Sequence, residues 1–158
     1  MELENKILQA GATLYPDKII IETLDRVMEG FAISSAKVTV LPIGADVGLL
    51  GMTVREHMAL TTADLHLPRN HKQHYAEFLK QAGFVSGKEH HKNALRLELY
   101  QSGKTITLSP TRNGGYTGKG KGFLEIEGSK ITITAEAGHA ELGERLRSGW
   151  AKCECSST

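Results

Sequence analysis

Residues 94–134 read ALRLELYQSGKTITLSPTRNGGYTGKGKGFLEIEGSKITIT, and apolar side chains fall on every second position: Leu95, Leu97 and Leu99, then Ile106 and Leu108, Leu124 and Ile126, and Ile131 and Ile133. A period of two belongs to strands with one face in a core, so four strands are expected here. Gln101-Ser102-Gly103-Lys104 and Glu127-Gly128-Ser129-Lys130 supply short polar turns, which makes two hairpins. Pro110-Thr111-Arg112-Asn113 and a loop with Gly114, Gly115, Gly118, Gly120 and Gly122 join them, and the loop carries the cations Lys119 and Lys121.

Upstream, residues 1–11 suggest a short helix through Leu3, Ile7 and Leu8, although Gly11 and a weak periodicity work against it. Ile19-Ile20-Ile21 opens a β-branched strand over Lys18 to Val27. Two shorter strands, Phe31 to Ser34 and Lys37 to Leu41, follow about a Ser35-Ala36 turn and end at Pro42. From Asp46, a plausible N-cap, the period becomes helical, with Val47, Leu50, Val54 and Met58 on one stripe. Pro68 to Ala82 reads as a second helix with Tyr75, Phe78 and Leu79 on its apolar side and Gly83 beyond its end. A polar stretch, Ser86 to Asn93, leads into the central sheet, and a last helix from about His139 aligns Leu142, Leu146 and Trp150. Cys153 to Thr158 is left as a tail.

The two ends echo each other. Gly30-Phe31, Val38-x-Val40 and Leu50-Gly51-x-x-Val54-Arg55-x-x-Met58-Ala59 reappear as Gly122-Phe123, Ile131-x-Ile133 and Leu142-Gly143-x-x-Leu146-Arg147-x-x-Trp150-Ala151. Each half, about 18–61 and 94–152, is a strand meander followed by a helix whose first-turn glycine permits close approach to the sheet. The expectation is one α+β domain over 1–158, mainly an antiparallel sheet, pseudo-duplicated, with both helices packed on it.

The length of 158 residues suffices to bury a core without staples, and a formal net charge of +1 excludes binding of nucleic acid through an overall field. The first residues, Met1-Glu2-Leu3-Glu4-Asn5, lack a basic n-region and an apolar h-region, and no apolar run approaches a membrane span. A soluble cytosolic protein with no membrane role is expected. Cys153 and Cys155, the only cysteines, read as free thiols.

Gly115 to Lys121 fits the start of a phosphate-binding G-x-x-x-x-G-K pattern, but Gly122 stands where a hydroxyl is needed and a strand follows instead of a helix. Arg112, Lys119 and Lys121 with Tyr116 form a small basic group able to track a nucleic-acid backbone, yet a solvated loop is the better reading for three cations. His71 and His74 share a helical face and His90-His91 adds two more imidazoles, without the companions of a closed zinc site; solvent-facing histidines are expected. Arg55 and Arg147 are expected on helix rims, paired with Glu56 and Glu144 or with solvent. No nucleophile elbow or paired-carboxylate grouping is present, so the residues support no catalytic site, no metal and no cofactor.

Lys104-Thr105-Ile106-Thr107-Leu108, Ser109 to Asn113 with the glycine loop, Ile131-Thr132-Ile133 and Glu141-Leu142-Gly143-Glu144-Arg145-Leu146 occur in an order that resembles the bacterial contact-dependent growth inhibition immunity proteins; Ile19-Ile20-Ile21, Gly30-Phe31, Val38 to Pro42 and the Leu50-Gly51 helix agree more loosely. The resemblance implies a non-catalytic cytosolic antidote that binds a delivered toxin domain, often a nuclease, and covers its active site; in some members the toxin adds a strand to the sheet. It implies a protein partner and no small-molecule substrate. The duplicated plan also resembles the Whirly-type single-strand nucleic-acid-binding fold, which keeps a nucleic-acid-binding or regulatory role for the basic loop as the alternative. The partner-facing residues expected are Arg112, Tyr116, Lys119, Lys121, Lys88 and Lys92.

Overall fold

The computed structural model describes residues 6–155. Three strands open the chain: β1 (Ile7–Leu14), β2 (Lys18–Arg26) and β3 (Ala32–Pro42). After them come α1 (Val47–Ala59), α2 (His71–Ala82) and α3 (Gly87–His91). The second half holds β4 (Leu95–Ser102), β5 (Thr105–Asn113), β6 (Phe123–Glu125), β7 (Ile131–Thr134), α4 (His139–Lys152) and β8 (Glu154–Cys155). The strands form one sheet in the order β3-β2-β1-β4-β5-β6, antiparallel throughout, with β7 also on β5 and β8 pairing β5 in parallel. The fold is α+β.

The expected amino-terminal helix is instead a strand over its described part; residues 1–5 lie outside the described residues. Leu8-Gln-Ala-Gly-Ala-Thr has little intrinsic strand preference, but β1 is paired along both edges, to β2 and to β4, and that pairing overrides the local pattern. Its small Ala10 and Ala12 leave space for Trp150, which is 2% exposed and donates its indole N–H to the Ala12 carbonyl at 3.0 Å. One continuous β3 replaces the two strands expected about Ser35-Ala36. Ala36 adopts φ 64°, and the register slips between Glu22 and Leu24 of β2, so the residues read as a turn are accommodated within the ladder.

The hairpin of β4 and β5 is as expected. The second is not, because β6 and β7 run end to end along the outer edge of β5. Between the pairs Thr111↔Glu125 and Leu108↔Ile131, the outer chain spends residues 126–130 where β5 spends 109–110, and Gly128 at φ 76° absorbs the excess. Residues 110–113, read as loop, extend β5 to Asn113. The helix expected from Pro68 starts at His71 behind an Asn70 cap and ends on left-handed Gly83, while the polar lead-in winds into α3 behind a Ser86 cap. Of the expected tail, Glu154–Cys155 adds the short strand β8; residues 156–158 lie outside the described residues.

Helices α1 and α4 cover one face, where Leu50, Val54 and Met58 meet Leu142, Leu146 and Trp150 above Ile19, Ile21, Leu97, Leu99, Ile106 and Leu108. The first-turn glycines expected to approach the sheet instead face the other helix, and the two helices cross there. A Cβ built on Gly51 would lie 1.9 Å from the His139 carbonyl oxygen, and one on Gly143 would lie 1.9 Å from that of Val47. Arg55 and Arg147 do not pair with Glu56 and Glu144. Arg55 donates to the Ala135 and Ala137 carbonyls, and Arg147 donates to those of Ile43 and Ala45. Each arginine thus ties its helix to the turn that launches the other helix, and both contacts recur at the same offset of 92 residues.

Trp150→Ala is expected to cost about 3–5 kcal/mol in urea unfolding, because it leaves a cavity and removes the indole hydrogen bond to Ala12. Gly51→Ala, which adds only one methyl, is expected to destabilise by more than the ~1–3 kcal/mol of ordinary overpacking, since backbone stands in its way. A Gly51→Ala protein as stable as the parent contradicts the helix crossing.

Candidate functional site

The opposite face of the sheet is only partly covered. Helix α2 lies over β3, and Phe78, Ala82, Phe84, Tyr15, Ile20 and Ala94 form a second, smaller core there. Beside this core a polar row crosses the central strands. Glu22 of β2, Gly11 of β1 and Glu98 of β4 are register partners, and Arg96 stands two positions before Glu98. The Arg96 guanidinium lies over Gly11, where a built Cβ would come within 2.6 Å of Nη2. From there Nη1 donates to Glu22 at 2.9 Å and Nε to Glu98 at 3.5 Å. Burial acts to lower the arginine pKa, but the Glu22 and Glu98 charges outweigh it, so the guanidinium stays charged. Glu22 is buried, whereas the Glu98 side chain keeps 35% of its surface exposed.

These groups floor a cavity of about 480 Å³. Its wall is aromatic: His91 stacks on Phe123 at 4.9 Å, and Tyr116 sits 5.4 Å from His91. Tyr116 rests on Gly87 of α3, where a Cβ would stand 2.2 Å from the ring, so only a glycine lets the glycine-rich loop seat against that helix. The neck of the loop is closed by Gly114 N–H on the Gly122 carbonyl and Gly122 N–H on that of Gly115, both at 2.8 Å. Buried Asn113 locks it further, donating to the His91 and Ala94 carbonyls and accepting from Gly115 N–H.

His71 is exposed as expected, but His74, His90 and His91 are not the solvated groups expected. His90 is buried among Phe78, Phe84 and Phe123, its Nδ1 shares a hydrogen with Tyr75 Oη at 2.8 Å, and its carbonyl accepts from Tyr15. Burial first, then the neighbouring His91 and Arg96, hold its pKa down to about 3. His91, half-buried, donates Nδ1–H to the Gly87 carbonyl and is lowered chiefly by burial; His74 donates to the Ser34 carbonyl of β3. His57, also lowered by burial, sits across the sheet between two threonines. Thr23 gives its proton to the His57 carbonyl, so it accepts from Nδ1, and Nε2 accepts from Thr39: a neutral ring with both nitrogens satisfied.

Four of the six expected partner residues come together around α3 and the loop. Lys88, Lys92 and Tyr116 border a second cleft of about 650 Å³, and Lys121 stands at the rim of the aromatic cavity. Lys119 is exposed further along the loop, and Arg112, exposed, follows Leu108 and Pro110 in the alternation toward the α1 and α4 side. The sequence reading missed Glu22, Arg96 and Glu98. A signal existed in the glutamate directly after Ile19-Ile20-Ile21, since a charge inside such a run belongs to a covered strand and needs a buried partner.

A family model described as CdiI, CDI immunity protein, matches residues 8–153. The structure is similar to that of a Neisseria meningitidis protein of unknown function, with a TM-score of 0.81 and 16% identity over 95% of this chain and 97% of that one. It is also similar to a chain of the CdiA-CT/CdiI toxin and immunity complex from Yersinia pseudotuberculosis, with a TM-score of 0.72 and 16% identity over 94% of this chain and 98% of that one. At these identities the likeness is one of fold. No curated protein sequence matches the chain.

Arg96→Met strands Glu22 without a partner and is expected to cost about 3–5 kcal/mol; the double variant Glu22→Leu/Arg96→Met is expected to recover much of that loss, whereas purely additive costs in urea unfolding contradict the pairing. For pH, the folded pKa of His90 lies below its unfolded value of about 6.5, so its contribution is complete above pH 6.5 and is lost as pH falls from there toward 3. Thermal midpoints are expected to drop between pH 7 and 5, and His90→Phe is expected to flatten that slope; an unchanged slope contradicts the assignment.

Proposed function

The chain belongs to the CDI immunity protein family, and from that premise we propose that it binds a cognate toxin domain in the cytosol and neutralises it without catalysis. The observation that carries this reading is the family match over residues 8–153 together with the shared fold of the toxin and immunity complex chain. The toxin being a nuclease rests on the family resemblance and is part of the proposal. Among the described residues no helix is long and apolar enough to cross a membrane.

The proposed contact surface is the α3 and loop region. Tyr116 is 46% exposed yet braced on Gly87 and His91, which suits an interface anchor because little rotamer freedom is left to lose on binding. Lys88, Lys92 and Lys121 stand about it, with Lys119 further along the loop, as exposed cations that steer an acidic surface. Arg112, on the α1 and α4 side of β5, lies outside this patch.

Co-expression with its cognate toxin domain is expected to protect cells, and purified chain to abolish the toxin's activity on DNA or RNA at equimolar ratio. Toxicity unrelieved by the chain contradicts the reading, and oligonucleotide retention with a steep salt dependence supports the nucleic-acid alternative instead. Tyr116→Ala is expected to speed dissociation by about 2 kcal/mol equivalent, Lys119→Ala and Lys121→Ala mainly to lower a salt-sensitive association rate, and Arg112→Ala on the opposite face to leave both rates unchanged. Stopped-flow binding at two salt concentrations separates these effects; unchanged Tyr116, Lys119 and Lys121 variants place the contact elsewhere.

A further inference from the structure

We propose that the aromatic cavity beside the loop receives an arginine side chain of the bound toxin, with Glu98 as its counter-ion. This rests on the toxin-binding reading above and names the chemistry of one contact within it. Three observations carry it. First, the floor holds two carboxylates and one guanidinium, and the Arg96 charge is matched by buried Glu22 at 2.9 Å. The excess negative charge therefore resides on Glu98, whose only ion pair among the described residues is the longer one of 3.5 Å and whose side chain opens into the cavity.

Second, the walls are largely aromatic. Phe123 and His91 form a stacked pair with an interplanar angle of 14°, the Arg96 guanidinium lies over the Phe123 ring at 5.6 Å, and Tyr75, Phe78 and Tyr116 also line the cavity. Burial holds both His90 and His91 in the neutral form, so neither ring adds positive charge to the wall at neutral pH. Aromatic faces beside a carboxylate attract a planar cation, and guanidinium combines stacking on rings with paired hydrogen bonds to a carboxylate. Third, the volume of about 480 Å³ admits a long side chain, and the mouth lies between the loop and β3, on the surface proposed to face the toxin. Lys121 is the cation at the rim, and among the described residues it makes no ion pair that would hold it in the site.

The experiment is a titration of the full chain, followed by amide and aromatic-ring NMR shifts, with N-acetyl-arginine amide and, as isosteric neutral control, N-acetyl-citrulline amide. N-acetyl-glutamate amide is the anionic control. The arginine amide is expected to saturate, shifting Phe123, His91 and Tyr116, and to bind about tenfold more tightly than the citrulline amide. Glu98→Gln is expected to remove that preference, and Lys121→Ala to leave or strengthen it. Equal binding of arginine and citrulline amides to the unaltered chain, stronger binding of the glutamate amide, or weaker arginine binding in Lys121→Ala overturns the proposal. The titration contains no toxin. Failed arginine binding with intact protection therefore refutes this inference alone, whereas failed protection with intact arginine binding refutes the toxin-binding reading.

Discussion

A guanidinium laid flat across a strand without a side chain is the constraint on which this protein's second face depends. Arg96 reaches over Gly11 from β4 to Glu22 on β2, so the link spans three strands and joins the two halves of the sheet. The geometry leaves no freedom at Gly11, because any Cβ there occupies the place of the guanidinium. It also sets the electrostatics of the neighbouring cavity: one carboxylate is spent on the arginine, and the other remains partly exposed on the cavity floor. Buried ion pairs contribute little net stability against an apolar replacement. What this one contributes to the fold is a fixed charged floor.

The other face is built on a different principle, apolar packing aligned by two reciprocal contacts. Arg55 and Arg147 each satisfy two carbonyls of the turn leading into the opposite helix, and Gly51 and Gly143 each admit the opposite helix's first turn. With α1 and α4 fixed in this way, the sheet has one closed face and one that is open between α2, α3 and the loop. A binding surface on the open face changes its groups without disturbing the larger core.

Much of this plan was legible in the residues. The β-branched run of β2, the period-two runs of β4 and β5, the stripe of Leu142, Leu146 and Trp150 and the Asp46 cap all carry local signals strong enough to survive in the fold, and the echo of Leu50-Gly51 in Leu142-Gly143 marked glycines of close approach, though toward the sheet and not toward the other helix. What was not legible depends on partners distant in sequence. β1 is a strand because β2 and β4 flank it, and residues 126–130 fail to reverse the chain because β5 is long enough to pair with both neighbours of that turn. The cavity was hidden for the same reason. Leu95-Arg96-Leu97-Glu98-Leu99 reads as a strand with a wet polar face until Glu22, 74 residues earlier, is seen to neutralise the arginine. Tyr116, Lys121, Lys88 and Lys92 were visible as residue types, but their meeting around α3 requires the glycine at 87 that seats the tyrosine ring.

The central claim is that the toxin lies on the open face of the sheet, against α3 and the glycine-rich loop. Hydrogen–deuterium exchange of the full chain, alone and saturated with its toxin domain, tests this most directly. The account predicts slowed exchange in residues 87–92 and 114–123, with no change in α1 and α4. Protection confined to α1 and α4, with the loop exchanging as in the free protein, would contradict it.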